Sequence, residues 1–129
     1  IYSQFEVQRG LPIRLLMNYF KQDGEVWKLS DSIRSKVSFK NVNLLDPMSA
    51  LGKFDVVFCR NVLIYFDLET KRNILKRVAD QMNDKSFLLL GAAETVVGVV
   101  DNFVPNKAAR GLYEKAGPGG RVTTGIRAA

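Results

Sequence analysis

The sequence predicts an α/β fold, and three segments predict it. Residues 54–59, Phe54-Asp55-Val56-Val57-Phe58-Cys59, are almost continuously apolar. Such a run suits a central parallel strand covered on both faces. Ile74, Leu75, Val78, Ala79 and Met82 then recur at helical spacing and mark one helix face. Ser86-Phe87-Leu88-Leu89-Leu90 follows as a second buried strand that stops at Gly91. Strand, helix and strand in that order are the unit from which α/β sheets are built.

Residues 1–9 read as a helix ending at Gly10. A second helix covers residues 11–21, with Pro12 in its first turn, where the missing N–H costs nothing, and Leu15, Leu16, Tyr19 and Phe20 at helical spacing. Asp23-Gly24 is a turn, and Glu25-Val26-Trp27-Lys28-Leu29 alternates like a short strand. Ser30 or Asp31 can cap a helical turn reaching Lys36. Val37-Ser38-Phe39 alternates again and leads to Asn43-Leu44-Leu45, and a loop runs from Asp46-Pro47 to Gly52. Asp67 is placed to cap the long helix, with Glu69 in its favourable first turn. Asn83-Asp84-Lys85 reads as a turn. Asn102 to Val104 and Gly111 to Glu114 can pair as a hairpin across residues 105–110. Residues 116–129 read as a flexible tail rich in glycine.

Composition narrows the chemistry. The 129 residues are 47% apolar, enough to bury a core. There is no histidine, which removes histidine-based triads and most zinc sites, and no metal is expected. The single cysteine, Cys59, cannot form an internal disulfide, which fits a reducing compartment and predicts a cytoplasmic protein. The opening residues carry no signal-peptide pattern, and no apolar run is long enough to span a bilayer, so no membrane insertion is expected. The net charge of +6 suggests an acidic partner. Nucleic acid is not expected, because the aromatic residues fall in core-periodic segments and are not interleaved with the basic ones.

In open α/β sheets ligands bind at the carboxyl ends of the strands. Two such ends stand out: Cys59-Arg60-Asn61, and Gly91-Ala92-Ala93-Glu94. An Arg-Asn pair after five apolar strand residues must find partners for its many donors. Those partners are either a ligand or the loops that the pair ties together. Tyr65, from the residues alone, reads as a half-buried core tyrosine. Glu94 either bonds Arg60 or ends a strand. Cys59 reads as packing, since free cysteine behaves as a small hydrophobe.

The fourteen residues from Phe54 through Cys59-Arg60-Asn61-Val62-Leu63-Ile64-Tyr65-Phe66-Asp67 resemble the signature of the CheR family, methyltransferases of chemoreceptor glutamates. The segment from Phe39 to Asn43-Leu44-Leu45, the segment Leu90-Gly91-Ala92-Ala93-Glu94, and Arg9-Gly10-Leu11-Pro12 with Tyr19-Phe20 are similar to flanking parts of the same family. The resemblance implies a class I S-adenosylmethionine-dependent methyltransferase (Rossmann-like) fold, of which residues 1–115 would be the C-terminal part, with a small β-subdomain at about 21–42. It implies S-adenosyl-L-methionine as cofactor and S-adenosyl-L-homocysteine as product. Asn43, Leu44, Arg60 and Asn61 would bind the cofactor, and Tyr65 would lie near the transferred methyl group. The implied partners are methyl-accepting chemotaxis receptors.

The chain departs from the family in places. Asn83-Asp84-Lys85-Ser86 replaces the usual glycine-rich turn, and Ala93 replaces a serine. No Gly-x-Gly loop precedes a strand, so the glycine-rich motif, the ribose-holding acid and a basic helical domain would all lie before residue 1, and the chain alone would be a largely inactive fragment. The rival reading is a non-catalytic methyltransferase-like interaction module. The link from Phe20 to Trp27 is short and carries one glycine. It therefore resembles the branch of the family that does not depend on a C-terminal receptor peptide. The fold's strand order, 3-2-1-4-5-7-6, would make residues 37–41 the third strand and Phe54–Cys59 the fourth. Without the two strands between them, the fourth would expose a bare edge. Three outcomes are then expected: the third strand collapses onto the fourth, the chain dimerises or swaps a strand through that edge, or a separate segment fills the gap.

Overall fold

The computed structural model describes residues 1–117, which divide into two compact units, one of Ile1–Asn41 and one beginning at Val42. The tail expected over 116–129 lies, from residue 118 on, outside the described residues.

The first unit is a three-stranded antiparallel sheet with short helices. Strand β1 (Tyr2–Ser3) and helix α1 (Gln4–Gln8) occupy the stretch read as one helix. Ser3 starts α1 by a reciprocal capping box: its hydroxyl accepts the Glu6 N–H, and the Glu6 carboxylate accepts the Ser3 N–H at 2.7 Å. Helix α2 (Ile13–Tyr19) is followed directly by β2 (Phe20–Asp23), so the helix read to residue 21 stops two residues earlier. Strand β2 turns through Gly24, at φ 60°, into β3 (Val26–Leu29), and the sheet order is β1-β3-β2. Helix α3 (Asp31–Arg34) is a single turn. Only Val7 and Leu16 of this unit are buried hydrophobics, a small core for so many residues.

The second unit holds the βαβ element. Strand β4 (Phe54–Cys59) leads through a 3-10 turn (Leu63–Tyr65) to helix α4 (Leu68–Asp80), and β5 (Met82–Leu90) returns parallel to β4. Asp67 caps α4 as the sequence indicates, its carboxylate accepting the Thr70 N–H at 2.8 Å. The apolar stripe of α4 is buried: Ile74 and Leu75 are wholly inaccessible, and Val78 and Ala79 nearly so. They share one cluster with Cys59, Leu63, Met82, Leu88 and Leu90. Each large aliphatic chain buried this way contributes roughly 1.5–3 kcal/mol. Strands β6 (Phe103–Pro105) and β7 (Leu112–Lys115) form the expected hairpin, and β7 pairs antiparallel with β5.

The sheet order is β4-β5-β7-β6. That is the 4-5-7-6 half of the order implied by the resemblance. Three local expectations are corrected. Residues 37–41 form no strand among the described residues, so no third strand collapses onto β4. Strand β4 is consequently an edge strand and not a doubly covered one. Val57 and Cys59 face the core, while Phe54, Val56 and Phe58 are 41%, 48% and 70% exposed. The turn read at Asn83-Asp84-Lys85 is a bulge inside β5: β4 advances from Phe54 to Val56 while β5 advances from Met82 to Phe87. Lys85 absorbs the excess at φ 58°, and Asn83 donates to the Asp55 carboxylate at 2.8 Å.

Candidate functional site

The parallel strands β4 and β5 end side by side at Cys59 and Leu90, which are register partners. A single side chain holds the segments that leave both strands. The carboxylate of Glu94 accepts the backbone N–H groups of Asn61 (2.7 Å), Val62 (2.9 Å), Leu63 (2.8 Å) and Gly91 (2.7 Å). Glu94 is buried. Burial raises its pKa, and the four N–H donors outweigh that and hold the carboxyl below the usual range. The ionised form is therefore the clasp that fastens the β4 exit to the β5 exit.

Two backbone features make the clasp possible. Asn61 sits at φ 58°, in the left-handed region that asparagine tolerates better than most residues. This turns successive N–H groups toward Glu94. Gly91 is buried, and a Cβ there would clash with Asn61 Oδ1 and lie 2.7 Å from Glu94 Oε2. Glycine is required by this close approach, not by its own dihedral angles.

Two clefts border these strands. One, of about 230 Å3, runs the length of β4, from Phe54 and Gln81 at its start to Cys59 and Val62 at its end, with Leu44 and Met48 also in its walls and no charged residue. The other, of about 380 Å3, is lined by Arg60, the strand end from Leu90 to Thr95, Arg110, Gly111 and Tyr113. Adjacent residues at the end of β4 thus serve different clefts, Cys59 the apolar one and Arg60 the cationic one.

The residues singled out by sequence are divided between these clefts and the open surface. Leu44 joins the end of β4 in the apolar cleft. Asn43, exposed, uses its Oδ1 to accept the Leu45 N–H at 3.0 Å, which shapes the loop that presents Leu44. Arg60 lies in the second cleft, which Glu94 also lines, and not in the cleft of Leu44, and among the described residues no ion pair joins it to Glu94. Tyr65 is 80% exposed on the 3-10 turn, so it is not a core residue. Neither reading of Glu94 anticipated four backbone donors. Its spacing, three residues past a glycine that ends a strand, is the signal that could have pointed to a clasp. Arg110 went unnoticed in a polar loop, and only the hairpin's return beside β5 brings it to the site. Cys59 is inert as read: burial, and secondarily the Glu94 charge, push its thiol pKa up.

A half-sheet of this order, with a clasped Arg-Asn turn at its strand ends, belongs to the class I methyltransferase fold. The profile of the family described as CheR methyltransferase, SAM binding domain, matches residues 1–112. The chain belongs to that family. It is 40% identical over 116 residues to chemotaxis protein methyltransferase Cher2 of Pseudomonas putida, an alignment covering 89% of this chain and 42% of that protein. Chemotaxis protein methyltransferase 1 of Pseudomonas aeruginosa matches with the same identity and coverage. The chemotaxis protein methyltransferase of Vibrio parahaemolyticus is 36% identical over the same shares of the two chains. The chain thus spans about 42% of the length of these relatives.

The family's domain is one that binds S-adenosylmethionine. Of the residues the resemblance assigns to the adenosine, Leu44 lies in the apolar cleft. Its walls are aliphatic, thioether and phenyl groups, suited to a flat ring system. No carboxylate lines this cleft to take a ribose hydroxyl, and the one in the neighbouring cleft, Glu94, is committed to four N–H groups.

Proposed function

We propose that this chain is the later part of a cytoplasmic S-adenosylmethionine-dependent O-methyltransferase that methylates glutamate side chains of methyl-accepting chemotaxis receptors. The observation that supports this most is the clasped turn at residues 61–63, which joins an apolar cleft on one side to a cationic cleft on the other. In this reading Leu44 and Asn43 hold the adenosine, Asn61 presents its amide to the same molecule, and Arg60 lines the approach to it. The cofactor supplies an electrophilic methyl group on a sulfonium. The remaining requirements are met by the protein. A glutamate carboxylate, with a pKa of about 4.3, is ionised at neutral pH and needs no general base. The protein must instead hold nucleophile and electrophile in line and exclude water. The Glu94 clasp fixes the backbone that carries Asn61, and the 3-10 turn directly after it carries Tyr65 to the surface, where an incoming side chain can meet it.

Calorimetric titration of S-adenosylhomocysteine tests this reading, on residues 1–129 and on a form carrying upstream sequence. The expected result is weak or absent binding by the first and clear binding by the second. Binding by neither would sink the enzyme reading and leave a non-catalytic interaction module. The first unit bears on partners too. Its β2-β3 connection is a tight turn through Gly24 and Glu25, without room for a long glycine-rich loop. We read it as the peptide-independent branch. A receptor C-terminal peptide is expected to give no heat in the same calorimeter, and micromolar binding would overturn that assignment.

Tyr65 is proposed as the residue that orients the reacting carboxylate. In the longer, active form Tyr65→Phe is expected to lower turnover by about tenfold, equivalent to roughly 1.4 kcal/mol of barrier. Cofactor affinity should change little. Because the ring is 80% exposed, the substitution should not disturb folding. Unchanged turnover would remove Tyr65 from the site.

A further inference from the structure

The cationic cleft contains a residue that the proposed reaction leaves without a role. Arg110 and Arg60 both line it, and both are exposed. The ion pairs of the described residues are Lys28 with Asp23 and Arg34 with Asp31, so neither arginine is paired there. The cleft contains one carboxylate, Glu94, whose oxygens are engaged by the backbone of residues 61–63 and 91. Two arginines therefore line one cleft of about 380 Å3 whose single carboxylate is fully engaged, which leaves the lining with a net positive charge. Two guanidinium forks suit a carboxylate held by paired hydrogen bonds.

Such a grip does not suit the carboxylate that reacts. Bidentate arginine contacts occupy the lone pairs that must attack the methyl group, and they lower the nucleophilicity of the oxygen. We propose that Arg110, with Arg60 in the same cleft, binds a second, unreactive acidic side chain of the protein substrate, beside the glutamate that is methylated. Arg110 is then a specificity-determining residue. It selects acidic surroundings of the target glutamate and fixes the substrate's register at the strand ends. This inference rests on the reading that the substrate is a protein carboxylate. The overall charge of +6 adds long-range attraction for acidic segments, but the cleft supplies the local recognition.

Fluorescence anisotropy on the full chain tests the proposal, with two labelled helical peptides as probes. One carries glutamates at four-residue spacing, and the other carries glutamines in their place. The wild-type chain is expected to prefer the glutamate peptide. Arg110→Gln should weaken that binding by about tenfold, near the loss of one charge-assisted hydrogen-bonded pair, and leave the glutamine peptide unaffected. Lys107→Gln, an exposed neighbour in the same loop but not in the cleft, should change neither. No preference by the wild type, no effect of Arg110→Gln, or an equal loss in Lys107→Gln would each overturn the proposal. Cofactor titration on the upstream-extended form separates this from the function reading. Absence of peptide selectivity in the wild type with cofactor binding intact refutes the acidic-flank site alone. Selectivity intact with no cofactor binding in any form refutes the methyltransferase reading alone.

Discussion

Replacing Glu94 by glutamine is expected to lower the unfolding free energy by about 3 kcal/mol. The reason is the number of donors. The carboxylate accepts four backbone N–H groups at 2.7–2.9 Å. A hydrogen bond to a charged acceptor contributes roughly 1.5–3 kcal/mol, and a buried donor left unpaired costs roughly 1–3 kcal/mol. Glutamine keeps one acceptor oxygen and turns an NH2 group toward donors, so at least two N–H groups lose their partner. Urea unfolding of the two chains measures the difference. The pH dependence supplies a second readout. The folded-state pKa of Glu94 lies below its unfolded value. Its contribution is therefore fully present above the unfolded pKa, about 4.3, and is lost as the pH falls through the lower, folded value. The wild-type chain should lose stability over that acid window, and Glu94→Gln should lose less. Equal stability at neutral pH, or parallel acid transitions, would show that the clasp contributes little.

The βαβ unit was legible because its signals are local and agree with one another. Ile74, Leu75, Val78 and Ala79 repeat at helical spacing, Asp67 offers a cap, and residues 86–90 are apolar after the first. The β6-β7 hairpin was legible for the same reason. Failures occurred where the outcome depended on a neighbour elsewhere in the chain. Val37-Ser38-Phe39 alternates as a strand should, but alternation makes no ladder without a partner, and Phe39 ends 91% exposed. The run from Phe54 to Cys59 states that a strand wants cover on both faces, and says nothing about whether the cover is present. Asn83-Asp84-Lys85 carries the residues of a turn. It became a bulge because Val56 pairs with Phe87 beyond it and keeps β5 in the sheet.

The site shows the same division. Leu44 could be named as a pocket residue from the resemblance, and the fold places it in one cleft with Val62. Arg60 and Asn61 are assigned to the cofactor by the resemblance, whereas the partition of the consecutive residues Cys59 and Arg60 between two clefts shows only in the fold. Arg110 and the donor set of Glu94 depend on residues far apart in the chain, 33 positions for Glu94 and Asn61, which no periodicity encodes. The exposed faces of Phe54, Val56 and Phe58 show that limit in the fold itself: the sequence prepares them for contacts that the described residues do not provide. Exposed apolar strand edges of this kind favour pairing with another chain.

Substituting Gly91 by alanine should destabilise the chain by about 2–3 kcal/mol, although glycine to alanine usually helps or is neutral at ordinary backbone angles. The added methyl carbon would clash with Asn61 Oδ1, lie 2.7 Å from Glu94 Oε2 and lie 3.0 Å from the Asn61 nitrogen. None of these can yield freely. The Glu94 oxygen is fixed by its donors, and Asn61 is held in the left-handed conformation that aims its N–H. Relief therefore requires the carboxylate to withdraw from Gly91 and Asn61, which opens the same clasp that Glu94→Gln weakens. A double-mutant cycle makes this specific. With Glu94→Gln already present, Gly91→Ala should cost less than it does alone, with a coupling of about 1 kcal/mol, in the range found for residues that share a network. On the proposed role of Asn61 in cofactor binding, Gly91→Ala in the longer form should also weaken S-adenosylhomocysteine binding. Strict additivity of the two substitutions would show that Gly91 is constrained by something other than the Glu94 clasp.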